Sequence, residues 1–390
     1  MARKILALTS IRSDYDLMSE VYRKLHQDPA VELKLLVSGA HLSPAFGHTV
    51  DLVRQDGFDI LCEVETLISG DTQASRLKTA AGLLNGAMDL IRSYAPDLIV
   101  YAGDREDVLI AATIGTFLGI PTAHFFGGDH AADGHVDNPV RHATSKLSTA
   151  HFVSLEEHRR RLLKLGEIPQ RIFVIGSVAL DKFVAEGPLA KAELLAGIGA
   201  KPHAATHPLA ILIFHPVAQE REVATTYVRN AVAVLRQAGF HICIGTPNSD
   251  PGNAPLISAF AELGQLPEVT CYGTTSRLLF VNLMRHASLM LGNSSAGILE
   301  AATLRLPVIN IGERQRGRLC GANVIFTGGD CDAIAEALAT VRSPAFTTAL
   351  ASLVNPYGDG QSAARAAALL RDEDFLARLK KPEDPLHVAI

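Results

Sequence analysis

The chain has 390 residues, 48% hydrophobic and 20% charged, which suits a globular protein long enough for two domains and excludes a disordered one. Its 36 Lys and Arg against 41 Asp and Glu give a formal charge of −5, so it carries no electrostatic footprint for nucleic acid or an anionic membrane. With no Trp and 6% aromatics it also lacks a stacking platform for single strands, leaving a small-molecule enzyme or binding protein.

Along the chain, Ile5–Thr9, Leu33–Val37, Asp97–Tyr101, Thr122–Phe126 and Phe173–Ile175 are short apolar runs closed by Gly, Ser or Asp. Helix-period stretches such as Leu17–Leu25, Ala74–Tyr94 and Val108–Leu118 lie between them. Such alternation predicts a parallel sheet covered on both faces. The stretch Glu186–His207, ending in GAKPHAATHP, reads as a linker and the entry to a second domain. The pattern then restarts with strands at Leu209–Phe214, His241–Gly245, Leu289–Gly292 and Val308–Ile311. Helices are expected near Glu222–Ala238, Ala254–Leu263, Leu278–His286 and Ala296–Leu304, and a last one at Gln361–Arg371. The expected domains are 1–185, 186–358 and a C-terminal helical segment, 359–390, returning to the first. The fold class is α/β, two Rossmann-like domains whose parallel sheets face each other across a cleft, with ligands beyond the carboxyl ends of the strands.

Five scattered cysteines, Cys62, Cys243, Cys271, Cys320 and Cys331, form no CxxC pair and argue against a disulfide framework or a zinc ribbon. The apolar run in MARKILALTSIRSDYD is too short for a signal peptide, and no stretch is long enough to span a membrane. A cytoplasmic location is expected.

The strand ends hold the candidate chemistry. The first turn, LTSIRSDYD, lacks the GxGxxG of a dinucleotide site and offers Arg12 instead, either a phosphate ligand or a surface cation beside Asp14 and Asp16. The strand ending LIVYAGDRED presents Asp104, Arg105, Glu106 and Asp107, more charge than helix capping requires. In PTAHFFGGD, two glycines precede Asp129, which suits a tight bend that aims the acid into a pocket. HAADGHVDNPVRHATSK holds His130, Asp133, His135, Asp137, Arg141 and His142. Their spacing matches no helical metal pair, so no metal is expected. Asp137 and Arg141, four apart, read either as an ion pair or as part of an acid–base site.

In the second half, ILIFHP ends on His215, and GTPNSDPG holds Asn248 and Asp250. In LMLGNSSAGILEAATLRLPVINIGERQRGR, Asn293, Ser294 and Ser295 stand between a strand and a helix. Hydroxyls and free backbone N–H groups there suit a phosphate, and Glu300 suits a ribose diol.

Taken together, TSIRSDYDLM, VSGAHLSPAFG, DGFDI, AGDRED, RHATSKLSTAHFVS, FHPV, PNSDPG, GNSSAGILEAA and NIGERQRGR resemble the hydrolysing UDP-N-acetylglucosamine 2-epimerases and their relatives acting on UDP-diacetylbacillosamine. The resemblance runs in order from about Lys4 to Arg371. It implies the GT-B fold, no cofactor, a UDP-sugar substrate, UDP as a product and a homodimer or homotetramer. It also implies anti elimination of UDP to a 2-acetamidoglucal, followed by rehydration with inversion at C2. By position, Asp104, Asp129 and Asp137 match the acid–base sites and His215 the histidine near the diphosphate. Arg12, Ser294 and Ser295 match phosphate contacts and Glu300 the ribose contact. Arg314, Asn248, Arg141, Arg105 and His41 match further substrate positions.

Two positions depart from the family pattern. Asp129 stands where Glu is usual, shorter by about 1.5 Å, and Asn138 stands where a second acid is usual. Both are expected to shift sugar preference towards a hexosamine modified at C4 or C6. The rival readings are a GT-B glycosyltransferase with a UDP-sugar donor and a weakly catalytic UDP-sugar sensor.

Overall fold

A computed structural model describes residues 2–68, 72–130, 136–215, 217, 220–246, 254–273, 275–382, 384 and 386. The chain divides into two compact units, Met1–Lys182 with Tyr357–Ile390, and Phe183–Pro356.

In the first unit, β1 (Arg3–Thr9), β2 (Val31–Ser38), β3 (Ile60–Val64), β4 (Leu98–Ala102), β5 (Thr122–Phe125), β6 (Ala150–Val153) and β7 (Ile172–Val174) form one parallel sheet. The order is β3-β2-β1-β4-β5-β6-β7. β1 lies between β2 and β4, with Ile5 opposite both Leu33 and Leu98. Both faces are covered. The helix Arg12–His26 buries Tyr15, Met18, Val21, Tyr22 and Leu25, spaced at 3.6-residue periodicity, against one face. On the other face Leu83, Ala87 and Ile91 of the helix Gln73–Tyr94 pack with Val108, Ala111 and Ala112 of the helix Glu106–Leu118. The helix Ser362–Arg371 belongs to this unit, packs on the helix Arg12–His26 and buries Ala363, Ala366 and Leu370. Its first turn is held from a distant segment: Asp181 accepts the backbone N–H groups of Ser362 and Ala363 at 3.1 and 2.8 Å. Those are two of the orphan donors that a helix start leaves.

In the second unit, β8 (Leu209–Ile213), β9 (His241–Gly245), β10 (Val269–Tyr272), β11 (Ala287–Gly292), β12 (Val308–Ile311) and β13 (Val324–Thr327) form a second parallel sheet, ordered β10-β9-β8-β11-β12-β13. Apolar clusters pack on its two faces, one around Val228, Leu235 and Ile334, the other around Val281, Met284 and Leu306.

Four strands were not expected from the sequence: β3, β6, β10 and β13. β3, β10 and β13 are edge strands, where one flank faces no partner and the apolar run shortens. The strand ending in AGDRED is therefore the fourth of the chain, not the third. The stretch expected to hold the linker and the entry to the second domain contains the helices Lys191–Gly197 and His203–Thr206, and Leu194, Ile198 and Ala204 are buried in the second unit's core. The helix expected over Ala296–Leu304 is shorter. It runs Ser295–Leu299 and continues as a 3-10 turn, Ala301–Leu304.

Candidate active site

In a doubly wound sheet the strand order reverses at one point, and the diverging loops there leave room for a ligand. In the first unit that point lies between β1 and β4. A cavity of about 450 Å³ opens there, lined by Ser10, Ser38 and Gly39, by Thr66–Ile68, by Arg76, Thr79, Ala80 and Leu83, and by Asp104–Asp107 and Asp137.

Asp104 follows β4 after Gly103, and Asp129 follows β5 after a sharp bend. The bend holds Phe126 at φ +63° and Gly128 at φ +73°. A Cβ at Gly128 would lie 2.4 Å from the His158 carbonyl oxygen, so glycine is required there. A bulky residue such as Phe126 in the left-handed region is strained, as turns that aim a functional side chain often are. Arg141, on the helix Asp137–Leu147, then joins the two acids. Its Nη2 donates to Asp104 Oδ2, and its Nη1 lies 3.5 Å from Asp129 Oδ2. Its side chain is only 10% exposed, so the charge works in a poorly solvated place. Asp129 Oδ1 also lies 3.3 Å from His158 Nε2 and accepts the His130 N–H at 2.8 Å. Asp137 stands 4.0 Å from Arg76 Nη2, whose guanidinium also grips Glu106, with Nη2 at 2.6 Å from Oε2. The structure thus brings Asp104, Asp129, Arg141, Asp137 and Arg105 to one region of this unit.

A second layer lies beneath. His41 is fully buried, with Nε2 2.9 Å from Thr9 Oγ1 and Nδ1 2.8 Å from Thr49 Oγ1. Burial pushes its imidazole down to about 4, so it is neutral. Both ring nitrogens are engaged inside the fold. In this structure His41 braces the β1 end. Asp14 accepts from Thr9 and from the N–H groups of Ser10 and Ile11 at 3.1 and 3.3 Å. Burial, with the charge of Asp107 nearby, pushes its carboxyl up to about 7. Arg12 is exposed and pairs with Asp16 at 3.5 Å.

In the second unit the order reverses between β8 and β11. Gly292 closes β11 at φ +117°, where a Cβ would fall 1.9 Å from the Ile213 carbonyl oxygen. This close approach lets the buried Asn293 clamp the end of β8, accepting the His215 N–H at 2.7 Å and donating to its carbonyl at 2.9 Å. The Asn293 carbonyl in turn accepts from Arg314 at 2.9 Å and Gln315 at 3.0 Å. Ser294 caps the short helix, its Oγ accepting the Ala296 N–H at 3.3 Å, and Ser295 is its first residue. Glu300 closes the helix; burial pushes its carboxyl up while Arg277, 3.8 Å away, pulls it down. His215, Ser294, Ser295 and Arg314 therefore gather at this strand end. Asn248, Asp250, Asp133 and His135 lie outside the described residues.

Sequence reasoning missed Asp14, Arg76, Asp107, His158, Arg277 and Gln315 as members of these networks. Asp107 alone carried a signal, as part of a four-charge run; Asp14, Arg76, His158 and Arg277 are single polar residues on helices, and Gln315 lies in the turn after β12. Among the described residues no group of three or more His, Cys, Asp or Glu could hold a metal ion, and all five cysteines are free. No described helix is long and apolar enough to cross a membrane.

A family profile described as UDP-N-acetylglucosamine 2-epimerase matches residues 23–371. The chain belongs to that family. It is 33% identical over 371 residues to the UDP-N,N'-diacetylbacillosamine 2-epimerase (hydrolyzing) of Legionella pneumophila, covering 95% of this chain and 96% of that one. To the UDP-N-acetylglucosamine 2-epimerase of Neisseria meningitidis it is 29% identical over 336 residues, 86% of each chain. In fold it matches the crystal structure of UDP-GlcNAc 2-epimerase from Neisseria meningitidis bound to UDP-GlcNAc, with a TM-score of 0.76 at 18% identity, over 95% of this chain and 100% of that one. The epimerase family's GT-B-like pair of Rossmann-like parallel sheets is the fold observed.

Proposed function

We propose that this protein is a hydrolysing 2-epimerase of a UDP-N-acetylhexosamine, converting UDP-GlcNAc to ManNAc and UDP. The observation that carries the reading is the pair Asp104 and Asp129, from two strand ends, held on one buried guanidinium, Arg141. The C2 proton of the sugar is not next to a carbonyl and is not acidic, so elimination needs a carboxylate base and a good leaving group. One carboxylate takes the C2 proton as the C1–O bond to UDP breaks, giving a 2-acetamidoglucal and UDP. Water then adds across the double bond, hydroxyl to C1 and proton to C2 from the opposite face, with a second acid supplying that proton. A cation between two acids keeps both ionised, as a base requires.

Asp137 is the third acid of this scheme, and Arg105 and Arg141 steady the sugar. Arg12, His215, Ser294, Ser295 and Arg314 hold the departing diphosphate, Glu300 the ribose diol, and Asn248 a further part of the nucleotide. A nucleotide-sugar substrate fits a cytoplasmic enzyme, and the family resemblance fits a homodimer or homotetramer. A second reading, the same chemistry on UDP-N,N'-diacetylbacillosamine, is favoured by the name of the Legionella relative.

The test is incubation with UDP-GlcNAc alone in deuterated water. Release of UDP and ManNAc carrying deuterium at C2 is expected. A strict need for a sugar acceptor would make the protein a glycosyltransferase, and a fully protonated C2 would rule out elimination.

A further inference from the structure

The bend that delivers Asp129 from the end of β5 is gripped by the helix Glu156–Lys164. The His158 carbonyl oxygen sits so close to Gly128 that a Cβ there would lie 2.4 Å away, and Arg161 Nη1 donates to the Gly128 carbonyl. The same helix reaches the acid itself, with His158 Nε2 3.3 Å from Asp129 Oδ1. His158 is buried, and its other ring nitrogen, Nδ1, has no hydrogen-bond partner among the described residues. A leucine or phenylalanine would fill such a place without burying polar atoms, so packing alone does not account for an imidazole there. What the imidazole adds is its contact with Asp129.

Arg141 stands on the other oxygen, with Nη1 3.5 Å from Oδ2. The Asp129 carboxylate is thus held between a guanidinium and an imidazole from two different helices, with the His130 N–H at 2.8 Å as a further donor. An Asp side chain turns about two bonds, and contacts on both oxygens fix the plane of the carboxylate as well as its place. Donors on those oxygens also favour the ionised form.

Resting on the epimerase reading, we propose that His158 is a positioning residue for Asp129, its Nε2–H holding the carboxylate ionised and aimed at the sugar without itself contacting the substrate. The other charged or titratable groups around the bend are Asp104, Arg141, Arg161, His142 and His130, whose ring stacks on that of His142 at 5.9 Å. All of them are kept when residue 158 alone is changed, so a difference between variants reports on this one contact.

The experiment compares wild type with His158→Phe, His158→Gln and His158→Asn. Gln sets its amide nitrogen near the place of Nε2, Asn near that of Nδ1, and Phe keeps a flat ring with neither. For each, kcat and KM are followed against pH on whichever of the two UDP-sugars is turned over, and the Asp129 carboxyl is titrated by carbon-13 NMR, assigned with Asp129→Asn. His158→Phe should lower kcat by about 10-fold, leave KM within about twofold, and raise both the acid limb and the Asp129 pKa by about one unit, since a lost donor favours the protonated form. Gln should restore most of each quantity, and Asn should not. An acid limb and an Asp129 pKa unmoved in His158→Phe, a loss confined to KM, or rescue by Asn as good as by Gln would overturn the proposal. If His158→Phe does not fold, the contrast of Gln with Asn decides in the same way. If wild type turns over neither sugar, the epimerase reading fails and the titration alone decides: an Asp129 pKa that rises with Phe and returns with Gln leaves His158 as its partner, and one that does not rise removes it.

Discussion

Replacing Arg141 by Met isolates the electrostatic part of the proposed mechanism, because it removes a cation and keeps much of the packing volume. At 3.5 Å, with an effective dielectric of about 20, one Arg–carboxylate contact corresponds to roughly 5 kcal/mol of Coulomb energy. Asp104 and Asp129 are 25% and 32% exposed, so water screens part of that. An opposite charge at this distance usually lowers an Asp pKa by about 1–3 units, or roughly 1.4–4 kcal/mol. Taking the cation away raises the carboxylate pKa values, so the ionised base is lost at a higher pH as the solution is acidified. The acid limb of kcat/KM against pH, followed by UDP release, should therefore move up by about 1–3 units. Arg141→Lys keeps the charge but loses the planar fork that reaches both acids, and should give a smaller upward shift. Circular dichroism at each pH separates this from unfolding. An acid limb moved by less than about half a unit in a folded Arg141→Met protein would mean that these acids do not serve as the base, and the reasoning fails.

Glu167 is fully buried among Lys381 at 2.7 Å, Lys146 at 2.9 Å, His151 at 3.0 Å and Arg171 at 3.4 Å, and despite burial these partners hold its carboxyl down at about 2. Its stabilising contribution is complete above its unfolded pKa and is lost as pH falls through about 2. Glu167→Gln should cost about 3 kcal/mol in urea unfolding at pH 7, with the gap to wild type narrowing below about pH 4.5; a gap independent of pH would contradict the linkage. Gly292→Ala should lower stability by at least about 2 kcal/mol, since its Cβ meets the Ile213 carbonyl and not a movable side chain, and a variant of unchanged melting temperature would show that the strand end adjusts freely. Arg12→Ala or His215→Ala should lower turnover by about 10²-fold if these groups act on the departing diphosphate, and unchanged kinetics in both would remove them from the site. Asp129→Glu with Asn138→Asp should move the kcat/KM ratio of a C4- or C6-modified sugar over UDP-GlcNAc back towards UDP-GlcNAc; an unmoved ratio would show that these positions do not set preference.

Most of the central strands were legible because a strand buried on both faces must be a short continuous apolar run, and LALT, LIVYA, AILI and VINI are such runs. The edge strands β3 and β13 were not, since ILCEV and VIFT are partly exposed and their alternation does not separate them from loops. In the region 186–207 the short helices, rather than the entry to the second domain, escaped notice for a different reason. Its Ala, Gly and Pro content reads as flexible, yet Leu194, Ile198 and Ala204 supply three apolar positions that dock two short helices on the core. Burial of a few residues outweighed the local composition, as tertiary context commonly does.

The candidate site divides along a similar line. Residues projecting from strand ends, Asp104, Asp129 and His215, could be found because strand ends can be found. The groups that join those ends could not. Arg141 reaches Asp104 across 37 residues and Asn293 reaches His215 across 78, and nothing local in RHATSK or GNSS states the partner. The two joining groups sit at different places: Asn293 spans the reverse point between β8 and β11, whereas Arg141 ties together the ends of the neighbouring strands β4 and β5, one strand beyond the reverse point of its unit. In each unit a single planar, multiply hydrogen-bonding side chain joins two strand ends, a guanidinium where two acids face each other and an amide where a backbone N–H and carbonyl do. The swap would fail in either direction. An amide between Asp104 and Asp129 would leave like charges facing without a cation. A guanidinium at Asn293 would offer no acceptor to the His215 N–H and would bury a second positive charge beside that of Arg314.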